Sequence, residues 1–169
     1  MKKESGITLI ALVITVIVIL IIAGISVYEG RELINTSKIQ TLETNMLKIQ
    51  VKAKEYAEGI EAKVFTEKNE QKDEKRNQEF GTKGFTPTTV NENILSQASA
   101  KLQSNYLVYA ISEQALIDMG LKEISNKNYA VIFSKNDYKI MDIIYIDGIQ
   151  YKNETLYTLS ALQDVLENE

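Results

Sequence analysis

The sequence lacks two residue types that carry much of enzyme chemistry, since it contains no cysteine and no histidine. Without cysteine there can be no disulfide, thiol nucleophile or thiolate metal site. Without histidine, the most frequent general base and the most frequent metal ligand are both missing. The glycine-rich motifs that cradle phosphates or expose a nucleophilic serine are also absent. We therefore predict that the protein is not an enzyme and has no catalytic residues, cofactor or metal.

The chain also has little excess charge, with a formal net charge of -4. Because Lys2, Lys3 and Glu4 together contribute +1 and residues 5–27 are uncharged, the remainder from Tyr28 to Glu169 carries -5. Binding to nucleic acid calls for a basic face, which a mildly acidic domain does not provide. We therefore expect no nucleic-acid partner for the isolated domain.

What the sequence does contain is a long apolar run. Ile7 to Val27 is 21 residues without a charge, which as a helix would be roughly 31 Å long at 1.5 Å per residue. The hydrocarbon core of a bilayer is about 30 Å thick, so the run predicts a transmembrane helix. Lys2 and Lys3 precede it, and this basic excess predicts a cytoplasmic N-terminus and an extracellular C-terminus in a single-pass protein of the cell membrane.

A cleavable secretory signal is the alternative interpretation of this segment. Gly24-Ile25-Ser26 could supply its small-x-small cleavage site. The apolar core of such signals is usually 7 to 15 residues, shorter than the run seen here. Helix-compatible sequence also continues through the supposed cut, with no proline before Pro87. Both observations favour the membrane helix.

The start of the run resembles the prepilin processing motif of type IV pilins and pseudopilins. In that family a short charged leader ends in glycine, and an apolar residue followed by Thr-Leu-(Ile/Val)-Glu opens the mature helix. Here the matching residues are Gly6, Ile7, Thr8, Leu9, Ile10 and, in place of the glutamate, Ala11. The resemblance implies cleavage after Gly6 by a membrane peptidase that then N-methylates Ile7. The short leader and the Ile-Val-rich helix are similar to prepilin-like proteins of Gram-positive, clostridia-type bacteria.

The resemblance implies a function in assembly. It predicts a minor pilin or pseudopilin of a type IV pilus, a type II secretion-like machine or a DNA-uptake machine. Its partners would be the prepilin peptidase, membrane lipid and other pilin-like subunits bound through the N-terminal helix, and assembly would move it into an extracellular filament. Ala11 stands where pilins have the glutamate that neutralises a neighbour's N-terminal amine. An anchored extracellular binding module that does not assemble is the alternative function.

Beyond the apolar run, hydrophobic residues recur at alternating spacings of three and four, which predicts one apolar stripe on a helix. The stripe consists of Ile39, Leu42, Met46, Ile49, Ala53, Tyr56 and Ile60. No proline interrupts residues 7 to 65, so we predict a single long helix whose second half packs on the domain's own sheet. A coiled-coil dimer seam has the same spacing and is the alternative.

The predicted fold class is α+β and pilin-like, with the long helix on a small antiparallel β-meander and short extra helices. Three strands are predicted at residues 129–133, 140–146 and 149–151, the last two joined by an Asp147-Gly148 hairpin. A helix is predicted within residues 88–103 after Pro87, and Thr158 is expected to cap a last one, 159–166. Residues 106–111 are either a strand or the lead-in to a helix that starts at Ser112 and ends at Gly120.

These predictions divide the chain into five parts: a leader at residues 1–6, the transmembrane helix at 7–27, its extracellular continuation at 28–65, a charged loop at 66–86 and a globular α/β head at 87–169. Within the charged part, residues 67–79 are predicted to be a solvated loop or a frayed extension of the helix. Asp137, Asp142 and Asp147 come near strand ends, where oxygen-rich loops can bind calcium. No twelve-residue calcium-loop pattern is present, so turn formation is the favoured interpretation. Most of the nine tyrosines are predicted to be half-buried strand residues with hydrated hydroxyls.

Overall fold

The computed structural model describes residues 4–98 and 105–168, with side chains except at residues 4–11, 22–34, 69 and 70. The chain divides into two compact units, residues 1–38 and residues 39–169. The helices of the described chain are α1 (Glu4–Val64), α2 (Asn69–Thr82), α3 (Glu92–Leu95), α4 (Glu113–Asp118), a 3-10 helix (Lys122–Ile124) and α5 (Leu159–Glu167). The strands are β1 (Phe85–Pro87), β2 (Tyr106–Ile111), β3 (Tyr129–Ser134), β4 (Ile140–Tyr151) and β5 (Glu154–Thr158). The predicted α+β class is confirmed.

Helix α1 is continuous for 61 residues, as the absence of proline predicts. The predicted stripe on its second half is buried, with Ala57 rather than Tyr56 in the fully covered position. The stripe shares one hydrophobic cluster with residues of β2, β3 and β4, including Tyr109, Val131 and Ile143. It therefore covers the domain's own sheet, and this packing accounts for the stripe without the coiled-coil alternative.

The five strands form one antiparallel sheet in the order β1-β2-β3-β4-β5. Each strand pairs with its neighbour in sequence, which makes the sheet a simple antiparallel meander, as predicted. The three predicted strands correspond to only two of its five, because residues 140–146 and 149–151 belong to one strand, β4. Alternate residues along β3 point to opposite faces. Val131 and Phe133 face α1, whereas Ala130 and Ile132 lie in a second, smaller cluster with Ile94 and other residues. Both faces of the central strand are thus covered, which explains its uninterrupted apolar sequence.

The predicted Asp147-Gly148 hairpin is wrong, because β4 runs through this pair to Tyr151. The chain reverses four residues later, at Lys152-Asn153, where Tyr151 pairs with Glu154. Gly148 has a φ of +67° and lies in a β-bulge instead. Ile144 pairs with Thr158 and Ile149 pairs with Leu156, so β4 advances five residues where β5 advances two. The same backbone freedom that suits a hairpin turn also suits a bulge, so the dipeptide alone does not distinguish them.

The predicted charged loop at residues 66–86 is also wrong over most of its length, because helix α2 occupies Asn69–Thr82. One aromatic residue, Phe80, explains why a helix forms in this charged segment. Phe80 is fully buried, with its ring centroid 5.0 Å from that of Tyr109 and 5.2 Å from that of Phe133. Arg76, one turn earlier, donates two hydrogen bonds to the carboxylate of Glu61 on α1. The helix is stabilised by these tertiary contacts, which its charged sequence does not reveal.

The helix predicted after Pro87 exists but starts later and is shorter. Pro87 ends the edge strand β1 rather than beginning a helix, and Asn91 caps α3 by accepting from the Asn93 amide. The other caps are as predicted. The Ser112 hydroxyl accepts from the Ala115 amide at the start of α4, and the Thr158 hydroxyl accepts from the Ala161 amide at the start of α5. Residues 106–111 are a strand that leads into α4, so the two readings of this segment combine.

Candidate functional site

The processing motif lies at the beginning of α1, whose backbone is helical from Glu4. The side chains of Gly6, Ile7, Thr8, Leu9, Ile10 and Ala11 lie outside the described residues, as do Met1 to Lys3 of the leader. The structure therefore places the motif on a helix and leaves its processing role as a prediction.

Next to the motif, α1 presents a continuous apolar surface. Every residue from Leu12 to Ile21 is exposed, and Leu12 and Leu20 keep about two thirds of their surface, 65% and 66%. Large contiguous apolar surfaces on proteins mark sites that bind a protein, a lipid or another apolar phase. In the part of the chain that the structure describes, no helix meets the length and hydropathy needed to span a bilayer. Only ten residues of the predicted span, 12–21, have described side chains.

The second unit has a smaller apolar feature on the outer side of α1. Val51 is 64% exposed and borders two shallow grooves. One groove, of about 530 Å³, lies between α1 and the residues after α4, including Met119 and Leu121. The other, of about 680 Å³, lies between α1 and the β3-β4 turn and includes Tyr138. These grooves could receive short side chains from a partner protein, and they contain no arrangement of nucleophile and base.

The second groove has a polar wall that includes Glu61 and Tyr138, and both of these residues contact Arg76 of α2. Its guanidinium lies 4.4 Å from the centroid of the Tyr138 ring and bonds the Glu61 carboxylate, with an Nη2 to Oε2 distance of 2.9 Å. The hydrogen bond to Glu61 raises the pKa of Arg76 above its ordinary value, and burial raises the pKa of the Tyr138 hydroxyl. Arg76 is only 15% exposed. This wall ties α2 to α1 and to the sheet, which is a structural role.

The three aspartates considered for calcium are separated in the structure. Asp137 pairs with Lys139, and the Asp147 carboxylate accepts from the side chain and backbone of Asn128. Asp142 is buried and accepts from the backbone amides of Ile143 and Ser160. Within the described ranges, no group of three or more acidic side chains is positioned to hold a metal ion. Only Asp137 lies in a turn, as the favoured interpretation predicted, whereas Asp142 and Asp147 lie within strand β4.

Asp137 gives a testable electrostatic prediction. The hydrogen bond from Lys139, 2.9 Å from Nζ to Oδ2, lowers the pKa of Asp137 to about 2, with the Ser134 hydroxyl as the next cause. Because the folded-state pKa is below the ordinary value, any stabilisation from this carboxylate is present at neutral pH and is lost as the pH falls from about 4 toward about 2. We expect carbon-detected NMR titration to give a midpoint well below 3.8.

The control for this titration lies in the same turn. Lys139→Met should return the Asp137 midpoint toward 3.8, whereas Lys135→Met, which removes a lysine that does not bond Asp137, should leave it unchanged. An ordinary midpoint in the unmodified protein would show that the Lys139 contact does not persist in solution.

Among the described residues, five tyrosines are more deeply buried than predicted: Tyr109, Tyr129, Tyr138, Tyr145 and Tyr151. Tyr109 and Tyr129 are each 1% exposed. The Tyr109 hydroxyl donates to the Asn77 side chain on α2, whereas the Tyr129 hydroxyl has no hydrogen-bond partner among the described residues. Burial raises the pKa of Tyr109 to about 12 and raises that of Tyr129 as well. The prediction of hydrated hydroxyls is therefore wrong for these two residues, which act as core side chains.

Comparisons with protein-family models, with curated proteins and with solved structures gave no match to this chain.

Proposed function

We propose that this chain is a minor pilin or pseudopilin subunit of a type IV pilus, type II secretion-like or DNA-uptake machine. The observation that carries the proposal is the contiguous stretch Gly6 to Ala11, which opens 21 uncharged residues on a helix. Cleavage after Gly6 would leave Ile7 as the N-methylated first residue. Neither feature is needed by a soluble α+β domain.

The exposed apolar segment of residues 12–21 supports the same function. A helix surface of this kind is stable in lipid, where apolar side chains have no contact with water. It can also exchange lipid contacts for contacts with helices of other subunits, an association that depends on van der Waals fit between helices. In the proposed assembly residues 7–27 form the helical core of a filament, and the unit from Ile39 onward forms its acidic coat.

The pilin-like character of the fold is part of the proposal. A long N-terminal helix covering an antiparallel sheet is the general architecture of pilin heads, and the buried stripe on α1 supports that relationship. Likeness of architecture supports a function without establishing it. The more specific proposal, that the first half of α1 is a transmembrane helix, therefore depends on the processing motif. The two proposals are tested together.

A second function is favoured by one residue. With Ala11 in place of glutamate, the subunit does not carry a buried carboxylate into the apolar phase, where charge is costly, and it also lacks the attraction to a neighbour's N-terminal amine. Such a chain could serve as an extracellular binding module that is anchored by its helix and never assembled. Within the first function, the same substitution predicts a low-copy subunit.

One experiment tests processing and assembly separately. We expect intact-mass and N-terminal peptide spectrometry of native protein to find a chain that begins at methylated Ile7, both in membranes and in sheared surface filaments. The reason is that peptidase recognition requires a residue without a side chain before the cut, which Gly6 supplies. Gly6→Leu should leave the full-length chain in the membrane, and Gly24→Leu, which changes a glycine outside the motif, should be processed normally.

The outcomes distinguish the candidates. If the mature chain is found only in the membrane fraction, the protein would be assigned as the anchored binding module instead of a filament subunit. An intact Met1 in both fractions, or a start near Val27, would rule out prepilin processing altogether.

A further inference from the structure

The two edges of the sheet are protected in different ways. Strand β1 is only three residues long and ends in Pro87, and short strands and proline are both known protections against the addition of another strand. Strand β5 has neither device. It is five residues long, contains no proline or lysine, and has one charged residue, Glu154, at its start. An edge of this composition is able to pair with a further strand unless something covers it.

The backbone groups on the outer edge of β5 can be identified from the register. Tyr151 and Glu154 pair across the two-residue turn, so Glu154 and Leu156 direct their backbone groups toward β4. Thr155 and Tyr157 lie at the alternate positions and direct theirs away from the sheet. These outward groups are the ones that an additional strand would use.

One side chain, that of Gln97, already bonds one outward group on each of these two residues. The Gln97 carboxamide nitrogen donates to the Thr155 carbonyl at 2.7 Å, and its oxygen accepts from the Tyr157 amide at 2.9 Å. One primary amide thus makes the two hydrogen bonds that a single residue of a parallel neighbouring strand would make through its N–H and C=O. Two further contacts hold Gln97 in place. The main-chain carbonyl of Gln97 accepts a hydrogen bond from the buried Thr158 hydroxyl at 2.8 Å, and the adjacent Ala98 is buried in the second hydrophobic cluster.

We propose that Gln97 is a built-in lock that closes the β5 edge against strand addition by a second copy of this chain. The lock is reversible, because it consists of two hydrogen bonds to one half-buried side chain. Opening it exposes the Thr155 carbonyl and the Tyr157 amide at the edge of the sheet, and the β5 strand of another copy provides the same groups. This inference concerns the second unit and does not depend on the proposed pilin function.

The test uses the full-length chain in detergent micelles. In the unmodified protein the Tyr157 amide should exchange slowly with deuterium, although it is on an outer edge. Gln97→Met keeps the length of the side chain and removes both hydrogen bonds, so exchange at Tyr157 should become at least about tenfold faster. Sedimentation velocity should show concentration-dependent association of this variant beyond that of the unmodified chain.

A matched control is available on β4. The Gln150 side chain bonds the Thr155 side-chain hydroxyl and not its backbone, so Gln150→Met should change neither Tyr157 exchange nor association. If Gln97→Met does not fold, Gln97→Glu provides the second variant, because its carboxylate cannot donate to the Thr155 carbonyl and is repelled by it, so Tyr157 exchange should become faster and association should increase. Fast Tyr157 exchange in the unmodified protein would overturn the proposal, and so would a Gln97→Met variant that loses protection without additional association.

Discussion

Replacing Phe80 with alanine is expected to lower the free energy of unfolding by about 3–5 kcal/mol, the usual cost of truncating a buried phenylalanine. The Phe80 ring is fully buried and contacts four other aromatic rings, those of Phe85, Tyr109, Phe133 and Tyr138. Its removal leaves a cavity between α2 and the sheet that these rigid rings cannot fill. Urea unfolding of the full-length chain, followed by the near-ultraviolet signal of its tyrosines, measures the change.

The chain supplies a matched control for this substitution. Phe65, just after α1, is 81% exposed, so Phe65→Ala should change the free energy of unfolding by no more than about 0.5 kcal/mol. Equal effects of the two substitutions would mean that α2 is not packed on the sheet in solution.

Replacing Gly148 with alanine is expected to destabilise the domain by about 2–4 kcal/mol, from backbone strain together with overpacking. Gly148 has a φ of +67°, and a Cβ added there would lie 2.6 Å from the Thr155 Cγ2 methyl and 2.6 Å from the Tyr157 ring. The threonine methyl cannot rotate away easily, because β-branched side chains have few accessible rotamers. The same urea titration measures this effect.

Two other glycines separate strain from crowding. Gly120 also has a positive φ, +79°, but no atom lies within 4 Å of its added Cβ, so Gly120→Ala should show only a strain cost of about 1–2 kcal/mol. Gly59 lies inside α1 with open space around it, and Gly59→Ala should stabilise the chain by about 0.5–1 kcal/mol. A Gly148→Ala variant no less stable than Gly120→Ala would show that the bulge is more open than described.

Much of the fold could be predicted because it follows from local periodicity. The stripe from Ile39 to Ile60 has helical spacing, and the aromatic and β-branched content of residues 129–133 predicted a strand. The caps at Ser112 and Thr158 were also predictable, because a side-chain oxygen that accepts an amide two or three residues later is a short-range interaction. For the candidate site, the sequence identified the Gly6 to Ala11 motif, and its processing stays a prediction.

The errors occur where a distant partner decided the local structure. The sequence from Glu67 to Glu79 has the composition of a solvated segment, yet α2 forms because Phe80 and Arg76 find partners on the sheet and on α1. The Asp147-Gly148 pair has the composition of a hairpin turn. It lies in a bulge because the Asp147 carboxylate bonds Asn128 and because the chain reverses direction later, at the Lys152-Asn153 turn.

The sequence by itself therefore determined the α+β class, the long helix, the antiparallel order of the meander and the presence of an uncharged helix segment behind a processing-like motif. Each of these depends on spacing within one segment, and hydrophobic burial follows such spacing directly. Only the tertiary structure decided the course of α2, the continuity of β4 and the pairing of Gln97 with Thr155 and Tyr157. Gln97 is about 60 residues away from β5 in sequence, and hydrogen bonds over such separations depend on which surfaces meet when the chain folds.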